Sequence, residues 1–531
     1  MTATLTERKP WPALWALVIG FFMILVDSTI VSIANPAIMR ALDADITAVL
    51  WVTSAYLLAY AVPLLITGRL GDRFGPKNVY LVGLVVFTLA SAWCGFSDDI
   101  GMLIAARVVQ GLGAALMTPQ TMSVITRIFP PNQRGAAMGL WGAVAGVATL
   151  AGPILGGLLV DSLGWEWIFF VNVPVGVIAF IVAMRLVPQL PTHAHRFDWL
   201  GVVLSAVGMF LLVFGIQEGE TFDWGVIAGP ITVWGLIIAG IVVLAGFVVW
   251  QRFAAEPLLP LGLFRDRNFA LSNAAITLVG LAIVAMPLPL AFFYQVALGL
   301  EPTQAALMLA PMALVSGGMA PVVGRLVDRV DPKWIAFAGF VVIAAGLAWF
   351  AAVLTPDTPI WALLLPSAVL GLGMSGIWAP LASNATRNLP PAQAGAGSGV
   401  YNMTRQVGSV LGAAAIAALL DARLAANLPG FDTNSAEAGG HAGEALPSPI
   451  AGPFSDAMSQ SLWLPIIAFA VAAVVVLFFA KPKQTVDWAN PADTAAARPA
   501  ASAADPAETS APASAPTSAS AAAPESAPVA E

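Results

Sequence analysis

One acidic residue, Asp27, lies within the first long apolar segment of the chain. A charge at membrane depth costs a few kcal/mol or more unless it meets water or a partner. Arg107 lies in the fourth apolar segment, which runs in the opposite direction, so that both residues reach a similar depth. Burial disfavours the ionised form of a carboxylate, whereas a nearby arginine favours it. The two residues therefore predict a site that binds and releases a proton; the alternative is a static ion pair that holds two helices together.

The composition indicates what kind of molecule must position these charges. Of the 531 residues, 59% are hydrophobic and only 10% are charged, and the mean hydropathy is +0.84. A soluble domain carries roughly 25% charged residues, so we predict an all-α polytopic membrane protein. The single cysteine, Cys94, excludes an internal disulfide framework. The net charge of −7 gives no support for nucleic-acid binding.

Segments of about 20 mostly apolar residues are long enough to cross a bilayer. The sequence contains fourteen of them, at roughly 11–34, 48–68, 78–96, 101–126, 136–160, 167–184, 199–217, 225–251, 268–298, 303–323, 334–354, 359–384, 395–420 and 460–480. Nineteen of the 23 basic residues fall on the side of the N-terminus, and only Arg40 and Arg423 fall on the other. Because basic residues concentrate in cytoplasmic loops, we predict that both termini are cytoplasmic and that residues 421–459 form an external loop.

Two sequence patterns repeat along the chain at a nearly constant spacing. TRIFPPNQRGAAMG at 126–139 aligns without gaps with TRNLPPAQAGAGSG at 386–399, with eight identical positions and a shift of 260 residues. GRLGDRFGPK at 68–77 likewise resembles GRLVDRVDPK at 324–333, with a shift of 256 residues. Both copies fall on the same predicted side of the membrane, which indicates two parallel halves related by an axis along the membrane normal.

These repeats divide the chain into four regions. We predict a six-helix bundle at 1–190, an inserted helix pair at 191–260 and a second six-helix bundle at 261–485. Residues 486–531 are rich in Ala, Pro, Ser and Glu and contain almost no aromatic residues. That composition predicts a disordered cytoplasmic tail.

The motifs together resemble the major facilitator superfamily, and within it the fourteen-helix drug:proton antiporters of the EmrB/QacA type, over about residues 11–485. GRLGDRFGPK resembles the family's loop motif between helices 2 and 3, RVVQGLGAA from Arg107 resembles its helix 4 motif, and GPILGG at 152–157 resembles its antiporter motif. WEWIFFVNVPVG at 165–176 and VDSTIVSIANPAI at 26–38 resemble signatures of the subfamily. The resemblance implies a major facilitator fold with two six-helix halves plus two inserted helices.

The resemblance also implies roles for three groups of residues. The loop motif and its repeat imply a charge latch, made in one conformation and broken in the other, at Gly68, Asp72, Arg73, Gly75, Asp328 and Arg329. Asp72 could bridge to Arg69 and Arg73 or face the N-terminus of a neighbouring helix. The antiporter motif implies a kinked, sealed contact between the halves, for which plain helix packing is the alternative; it comprises Gly152, Pro153, Gly156 and Gly157. A substrate cavity is implied at Tyr56, Gln110, Trp141, Asn273, Tyr294, Gln295, Trp378, Asn402 and Arg405.

The resemblance and the buried charges lead to one favoured function. We expect a secondary active exporter, a proton antiporter of lipophilic drugs or related amphiphilic compounds, in the inner membrane of a bacterial cell. Its partners would be protons, small molecules and the lipid bilayer, and we expect a monomer with no metal and no cofactor other than the proton gradient. The alternatives are an exporter of an envelope lipid or native metabolite, and a non-transporting receptor or scaffold. An enzyme is not expected, because all three histidines, His193, His195 and His441, fall in loops.

The charges within the segments also bear on the cargo. One acid, Asp27, is set against two bases, Arg107 and Arg405, so a shared cavity would be positive and would repel a dication. We therefore expect lipophilic neutral or monocationic compounds, and amphiphilic anions as a further class. If Arg405 faces away from the cavity and bonds to carbonyls of a broken helix instead, cations of either valence stay possible.

Overall fold

The computed structural model describes residues 10–130, 133–192, 198–219, 221–390, 393–428 and 446–481. The predicted tail at 486–531 lies outside these residues. Within them the chain is helical apart from short connections and one small β-hairpin.

Twenty α-helices follow one another along the described part of the chain. The first half contains α1 (Pro10–Ala41), α2 (Ile46–Ala61), α3 (Leu64–Phe74), α4 (Pro76–Gly95), α5 (Ile100–Ile128), α6 (Arg134–Leu163), α7 (Trp167–Phe170) and α8 (Asn172–Leu186). The inserted pair consists of α9 (Trp199–Gln217) and α10 (Val233–Trp250). The second half contains α11 (Arg267–Ala285), α12 (Pro287–Phe292), α13 (Pro302–Leu307), α14 (Ala310–Val327), α15 (Pro332–Val353), α16 (Ile360–Ser375), α17 (Trp378–Thr386), α18 (Ala394–Asn427), α19 (Ser448–Ser461) and α20 (Trp463–Leu477). A 3-10 turn at Leu261–Arg265 precedes α11, and a π-helical turn at Phe293–Ala297 follows α12.

The number of membrane-spanning segments agrees with the sequence. Thirteen helical segments of the described chain are long and apolar enough to cross a membrane, and α2 with α3, bent by 47°, gives a fourteenth. The bend falls at Pro63, which has no N–H to donate to the helix and so interrupts its hydrogen bonding. The prediction of an all-α, fourteen-helix membrane protein is confirmed.

The predicted eighth span begins later than the sequence suggested. The sequence predicts a span that begins near residue 225. In the structure, however, β1 (Val226–Ala228) pairs with β2 (Ile231–Thr232) in an antiparallel hairpin. Gly229, at the turn, has a φ of 53°, which a right-handed helix cannot contain. Helix α10 then starts after Thr232, whose hydroxyl accepts a hydrogen bond from the Gly235 N–H at 3.0 Å as an N-cap.

The predicted external loop at 421–459 is also shorter in the structure. Helix α18 continues to Asn427, and α19 begins at Ser448 and forms one span with α20. Because α19 contains Ser, Asp and Gln residues, its sequence is too polar to be recognised as part of a membrane span. Residues 429–445 lie outside the described part of the chain.

The two halves repeat the same helix packing. A Cβ added at Gly113 of α5 would lie 2.6 Å from the backbone nitrogen of Phe87 in α4, and one added at Gly373 of α16 would lie 2.6 Å from that of Ile343 in α15. The glycines are 260 residues apart and their partners 256, the same shifts as in the sequence repeats. The seam between the halves is formed by α6 against α14 and α17, and by α3 and α5 against α18. Helix α9 packs on both α2 and α18, so it contacts both halves.

Candidate functional site

Asp27 and Arg107 form an ion pair in the middle of the first half. Both side chains are completely buried, and Arg107 Nη1 lies 2.5 Å from Asp27 Oδ2. Gln110 contributes twice, because its Nε2 donates to Asp27 Oδ1 at 2.8 Å and its Oε1 accepts from Arg107 Nη1 at 2.7 Å. Arg107 Nε donates to the carbonyl of Val52 at 3.1 Å. A dry, hydrogen-bonded charge pair of this kind stays intact only while both partners keep their charge.

A third donor to Asp27 was not identified from the sequence. Asn172 Nδ2 lies 3.0 Å from Asp27 Oδ1 and 3.0 Å from the hydroxyl of Ser91. Ser91 in turn donates to the carbonyl of Phe169 at 2.9 Å. The break between α7 and α8 brings Asn172, the first residue of α8, against the carboxylate. The motif WEWIFFVNVPVG contained this asparagine, but no charge drew attention to it.

The ring of Tyr56 separates the ion pair from a cavity. Its centroid lies 4.0 Å from the Arg107 guanidinium carbon, and the same side chain lines a cavity of about 390 Å³. This volume suits a small-molecule ligand. Tyr60, one turn further along α2, stacks on Tyr56 with ring centroids 6.3 Å apart and also lines the cavity.

The cavity lies between the two halves and the inserted pair. Its wall comprises residues of α1, α2, α9, α11 and α18, together with Trp224 before the hairpin: Ile24, Leu25, Ser28, Ser54, Tyr56, Leu57, Tyr60, Val213, Ile216, Gln217, Trp224, Val284, Arg405, Gln406, Ser409, Val410, Ala413, Ala414 and Ala417. Helix α9 of the inserted pair, with Trp224 beyond it, is therefore part of the site.

Two of the nine predicted cavity residues, Tyr56 and Arg405, line this cavity, and the other seven lie elsewhere. Gln110 belongs to the Asp27 cluster. Asn273 and Asn402 donate to carbonyls of their own helices, those of Phe269 at 2.8 Å and Ser398 at 2.9 Å, and Asn273 also accepts from Thr404 of α18 at 3.0 Å. Tyr294 and Gln295 belong to the π-helical turn of the second half. The amide donors of both asparagines are thus used within their own helices, which a sequence pattern does not reveal.

Trp141 and Trp378 form an aromatic cluster beneath the cavity. Trp141 is buried and stacks on Phe21 with centroids 4.7 Å apart, and the edge of Trp378 meets Trp141 at 6.0 Å. The Arg405 guanidinium lies 6.0 Å from the centroid of Trp378. This cluster joins α1, α6 and α17 across the seam and lies next to Arg405 of the cavity wall.

The latch residues form two equivalent contacts between the halves, at what we call the latch end of the bundle. Asp72, in the last turn of α3, accepts hydrogen bonds from the backbone N–H groups of Gly395 and Ala396, both at 2.9 Å, at the start of α18. Asp328, just after α14, accepts from Gly135 at 2.8 Å and Ala136 at 3.1 Å, at the start of α6. Each carboxylate thus caps a helix N-terminus of the other half, where an anion is stabilised.

The basic partners of the latch differ from those expected. Asp72 pairs with Arg127, not with Arg69 or Arg73, because Arg69 reaches the carbonyl of Pro257 at 2.6 Å and Arg73 extends over the Phe74 ring. Burial raises the pKa of Asp328, while its two backbone N–H bonds and the charge of Arg387 lower it.

The remaining latch residues have different placements. Arg329 is exposed and Gly75 ends α3 with a φ of 88°. A side chain at Gly68 would collide with the backbone of Gly395, so this glycine permits α3 and α18 to approach.

The antiporter motif contacts its own half. A Cβ at Gly152 would strike Thr29, and one at Gly156 would lie 3.0 Å from Ile30, both in α1. Gly157 is partly exposed, and α6 runs through Pro153 as one helix. The predicted contact with the other half is made instead by Gly135 and Gly139 at the start of α6. In this conformation the motif supports the packing interpretation.

A cavity between two repeated helical halves, an ion pair buried beside it and a capped seam at one end define a multi-pass membrane protein with the architecture of a secondary transporter. The sequence model of the Major Facilitator Superfamily matches residues 17–413. The chain therefore belongs to that superfamily, as its motifs indicated, and is a membrane transporter of small molecules, not an enzyme.

Three relatives illustrate the similarity. An uncharacterized MFS-type transporter of Mycobacterium tuberculosis is 54% identical, over 89% of this chain and 81% of the relative. A tetracenomycin C resistance and export protein of Streptomyces glaucescens is 34% identical, over 92% of this chain and 93% of the relative. Among solved structures, the proton:xylose symporter XylE matches with a TM-score of 0.58 and 13% identity, over 90% of this chain and 97% of that one. The last comparison concerns the fold alone.

Proposed function

We propose that this protein is a proton antiporter that exports lipophilic drugs or related amphiphilic compounds by alternating access. It would lie in the inner membrane of a bacterium with both termini in the cytoplasm, act as a monomer, and use no cofactor other than the proton gradient. The observation that carries the proposal is the completely buried Asp27–Arg107 pair, separated from the cavity by the Tyr56 ring.

The geometry supports the coupling as follows. An ionised Asp27 accepts hydrogen bonds from Arg107, Gln110 and Asn172, so the pair is stable without a proton. Protonation of Asp27 removes the charge that holds Arg107, and an unpaired buried guanidinium is costly. Arg107 must then find another partner, and it lies directly against a wall residue of the cavity. Proton binding and rearrangement of the cavity are thereby linked.

The two latch contacts determine which side is open in this conformation. Both carboxylates cap their helices, and the latch end is closed. On α18 the cavity extends from Arg405 to Ala417, which is roughly 15–33 Å from the capped start of the helix at 1.5 Å per residue. With the latch end in the cytoplasm, substrate would leave and a proton would enter from the outer side.

Export of drug-like cargo is supported by the relative from S. glaucescens, which is named as a resistance and export protein. The test is resistance profiling in a pump-deficient bacterial host with a panel of neutral, monocationic, dicationic and anionic lipophilic drugs. Wild type should raise the inhibitory concentration for at least one class, with dications exported poorly. Asp27→Asn, which mimics the protonated form, should abolish that resistance.

Asp421→Asn is the matched control, because Asp421 is exposed on α18. Equal membrane levels of all variants must be shown. Resistance retained by Asp27→Asn would refute proton coupling at this residue. Protection against no drug class by wild type would shift the proposal to an envelope lipid or native metabolite as cargo.

A further inference from the structure

Arg405 has a place in the cavity wall that the proton-coupling site does not explain. Among the described residues that line the cavity, it is the only charged one. Its Nη2 lies 3.4 Å from the hydroxyl of Tyr60, and its Nε is buried with no hydrogen-bond partner in the described part of the chain. The salt bridges found in the described part of the chain are Asp27–Arg107 and Asp72–Arg127, and neither includes Arg405.

Within the described part of the chain, the cavity wall contains no carboxylate that could pair with Arg405. Asp27, the acid within the predicted spans, does not line the cavity; it is fully buried and already accepts three hydrogen bonds. Arg405 is half-buried and its Nε is shielded from solvent without a partner, so an anion that accepts its N–H groups would stabilise it. The wall therefore presents a net positive charge to whatever occupies it.

The rest of the wall suits a flat aromatic body. Tyr56, Tyr60 and Trp224 supply aromatic surface, and the hydroxyl of Ser54 supplies a further hydrogen-bond donor. The ring centroid of Trp378 lies 6.0 Å from the Arg405 guanidinium carbon, which is within range of a cation–π contact. The planar N–H groups of an arginine match the two oxygens of a carboxylate or sulfonate.

We propose that the cavity recognises aromatic amphiphiles that carry an oxyanion, such as a carboxylate, sulfonate or phenolate, and that Arg405 binds this group. The inference rests on the proposed function in that it names the substrate class of the same cavity. It also narrows the cargo expected from the sequence to its anionic class, because Arg405 lines the cavity and Asp27 does not.

The test uses three probes that share a pyrene ring: pyrene sulfonate, pyrene methanol and pyrenylmethyl trimethylammonium. Binding to the purified full-length protein is measured by energy transfer from tryptophan to pyrene, in detergent and without a pH gradient. Wild type should bind the sulfonate about tenfold more tightly than the alcohol, as expected for a charge-assisted hydrogen bond. The trimethylammonium probe should bind most weakly.

Arg405→Gln should lose about tenfold in affinity for the sulfonate and keep its affinity for the alcohol. Arg423→Gln is the matched control, since it removes the same charge from an exposed position of the same helix. Arg405→Lys keeps the charge but loses the planar donor pair, so it should weaken sulfonate binding less than Arg405→Gln does. If Arg405→Gln does not fold, the affinity of Arg405→Lys for the sulfonate tests the proposal in its place.

Two results would overturn the inference. One is wild-type protein that binds the alcohol or the ammonium probe as tightly as the sulfonate, and the other is an Arg405 variant that keeps the preference for the sulfonate. Export of the same probes from proteoliposomes is measured separately. If none is exported, the proposed function fails while the binding data still decide the role of Arg405.

Discussion

The Tyr56 ring lies 4.0 Å from the guanidinium carbon of Arg107 and lines the cavity with the same side chain. Together with the α1 residues Ile24 and Ser28, which also line the cavity, it forms the partition between the buried ion pair and the space that a substrate would occupy. The Tyr56 ring stacks on the Tyr60 ring, and the Tyr60 hydroxyl accepts a hydrogen bond from Arg405. The coupling residue and the proposed substrate-binding residue are therefore joined through two adjacent tyrosines of α2.

The first prediction concerns this partition. Tyr56→Ala should open the cavity to the ion pair and allow protons to leak, whereas Tyr56→Phe keeps the ring and loses only a long hydrogen bond of 3.4 Å to the Ile24 carbonyl. We expect proteoliposomes with Tyr56→Ala to dissipate an imposed pH gradient without substrate, and those with Tyr56→Phe to resemble wild type. An equally tight Tyr56→Ala variant would show that the ring does not separate the two sites.

The second prediction concerns Asn172. Asn172→Ala removes one donor from the ionised Asp27 and disfavours that form, at a cost of roughly 1 kcal/mol for a hydrogen bond. Because the ion pair must re-form in every cycle, export driven by an imposed pH gradient should slow by up to about fivefold. Ser91→Ala removes the hydrogen bonds of Ser91 to Asn172 and to the Phe169 carbonyl but no bond to Asp27, so it should slow export less. An unchanged rate in Asn172→Ala would assign this residue to packing alone.

A third prediction tests the latch. Asp72→Asn and Asp328→Asn each weaken a charged helix cap, which is worth on the order of 1 kcal/mol. With Cys94 replaced by Ala, a cysteine at the buried position Ser398 reports opening at the latch end. Its labelling by an impermeant maleimide in inverted vesicles should rise a few-fold in each variant and further in the double variant.

Arg329→Gln serves as the control for the latch, because Arg329 is an exposed neighbour of Asp328. Its labelling rate should equal that of the parent protein. Wild-type labelling rates in both Asp variants would contradict a role for these caps in closing the seam.

The fourth prediction concerns orientation. The bias of basic residues predicts that the tail is cytoplasmic and that the connection between α18 and α19, residues 428–447, is external. In the background without Cys94, Ser435→Cys should react with an impermeant reagent added to intact cells, and Ser502→Cys should react only in inverted vesicles. Labelling of both from the same side would invalidate the fourteen-span topology.

Charges within apolar segments were the most reliable guide to the site. Asp27 and Arg107 could be paired from the sequence because burying either alone is expensive. Asp72 and Asp328 could be found because their motif recurs. Arg127 was harder to assign, since a basic residue near a helix end has many possible partners and only the fold determines which carboxylate it meets.

Neutral polar residues were much harder to assign. Asn172 lies at the Asp27 cluster, whereas Asn402 bonds to its own helix, and nothing in their sequence positions separates the two cases. The sequence also did not predict that α9 lines the cavity. This helix is apolar on every face, so its sequence does not show which face packs against the rest of the protein.

The reciprocal latch has a bearing on how such a chain arose. Each half carries both a capping carboxylate and the helix start that receives the other one, at positions related by the same shifts of 256 and 260 residues. A six-helix unit paired with an identical copy would form both contacts from a single sequence, as an isologous interface of a two-fold dimer does. Fusing two such copies in parallel requires a connection that returns to the side it started from. A plain loop or any even number of added helices meets that requirement, and α9 with α10 is the smallest insertion of whole spans that does so.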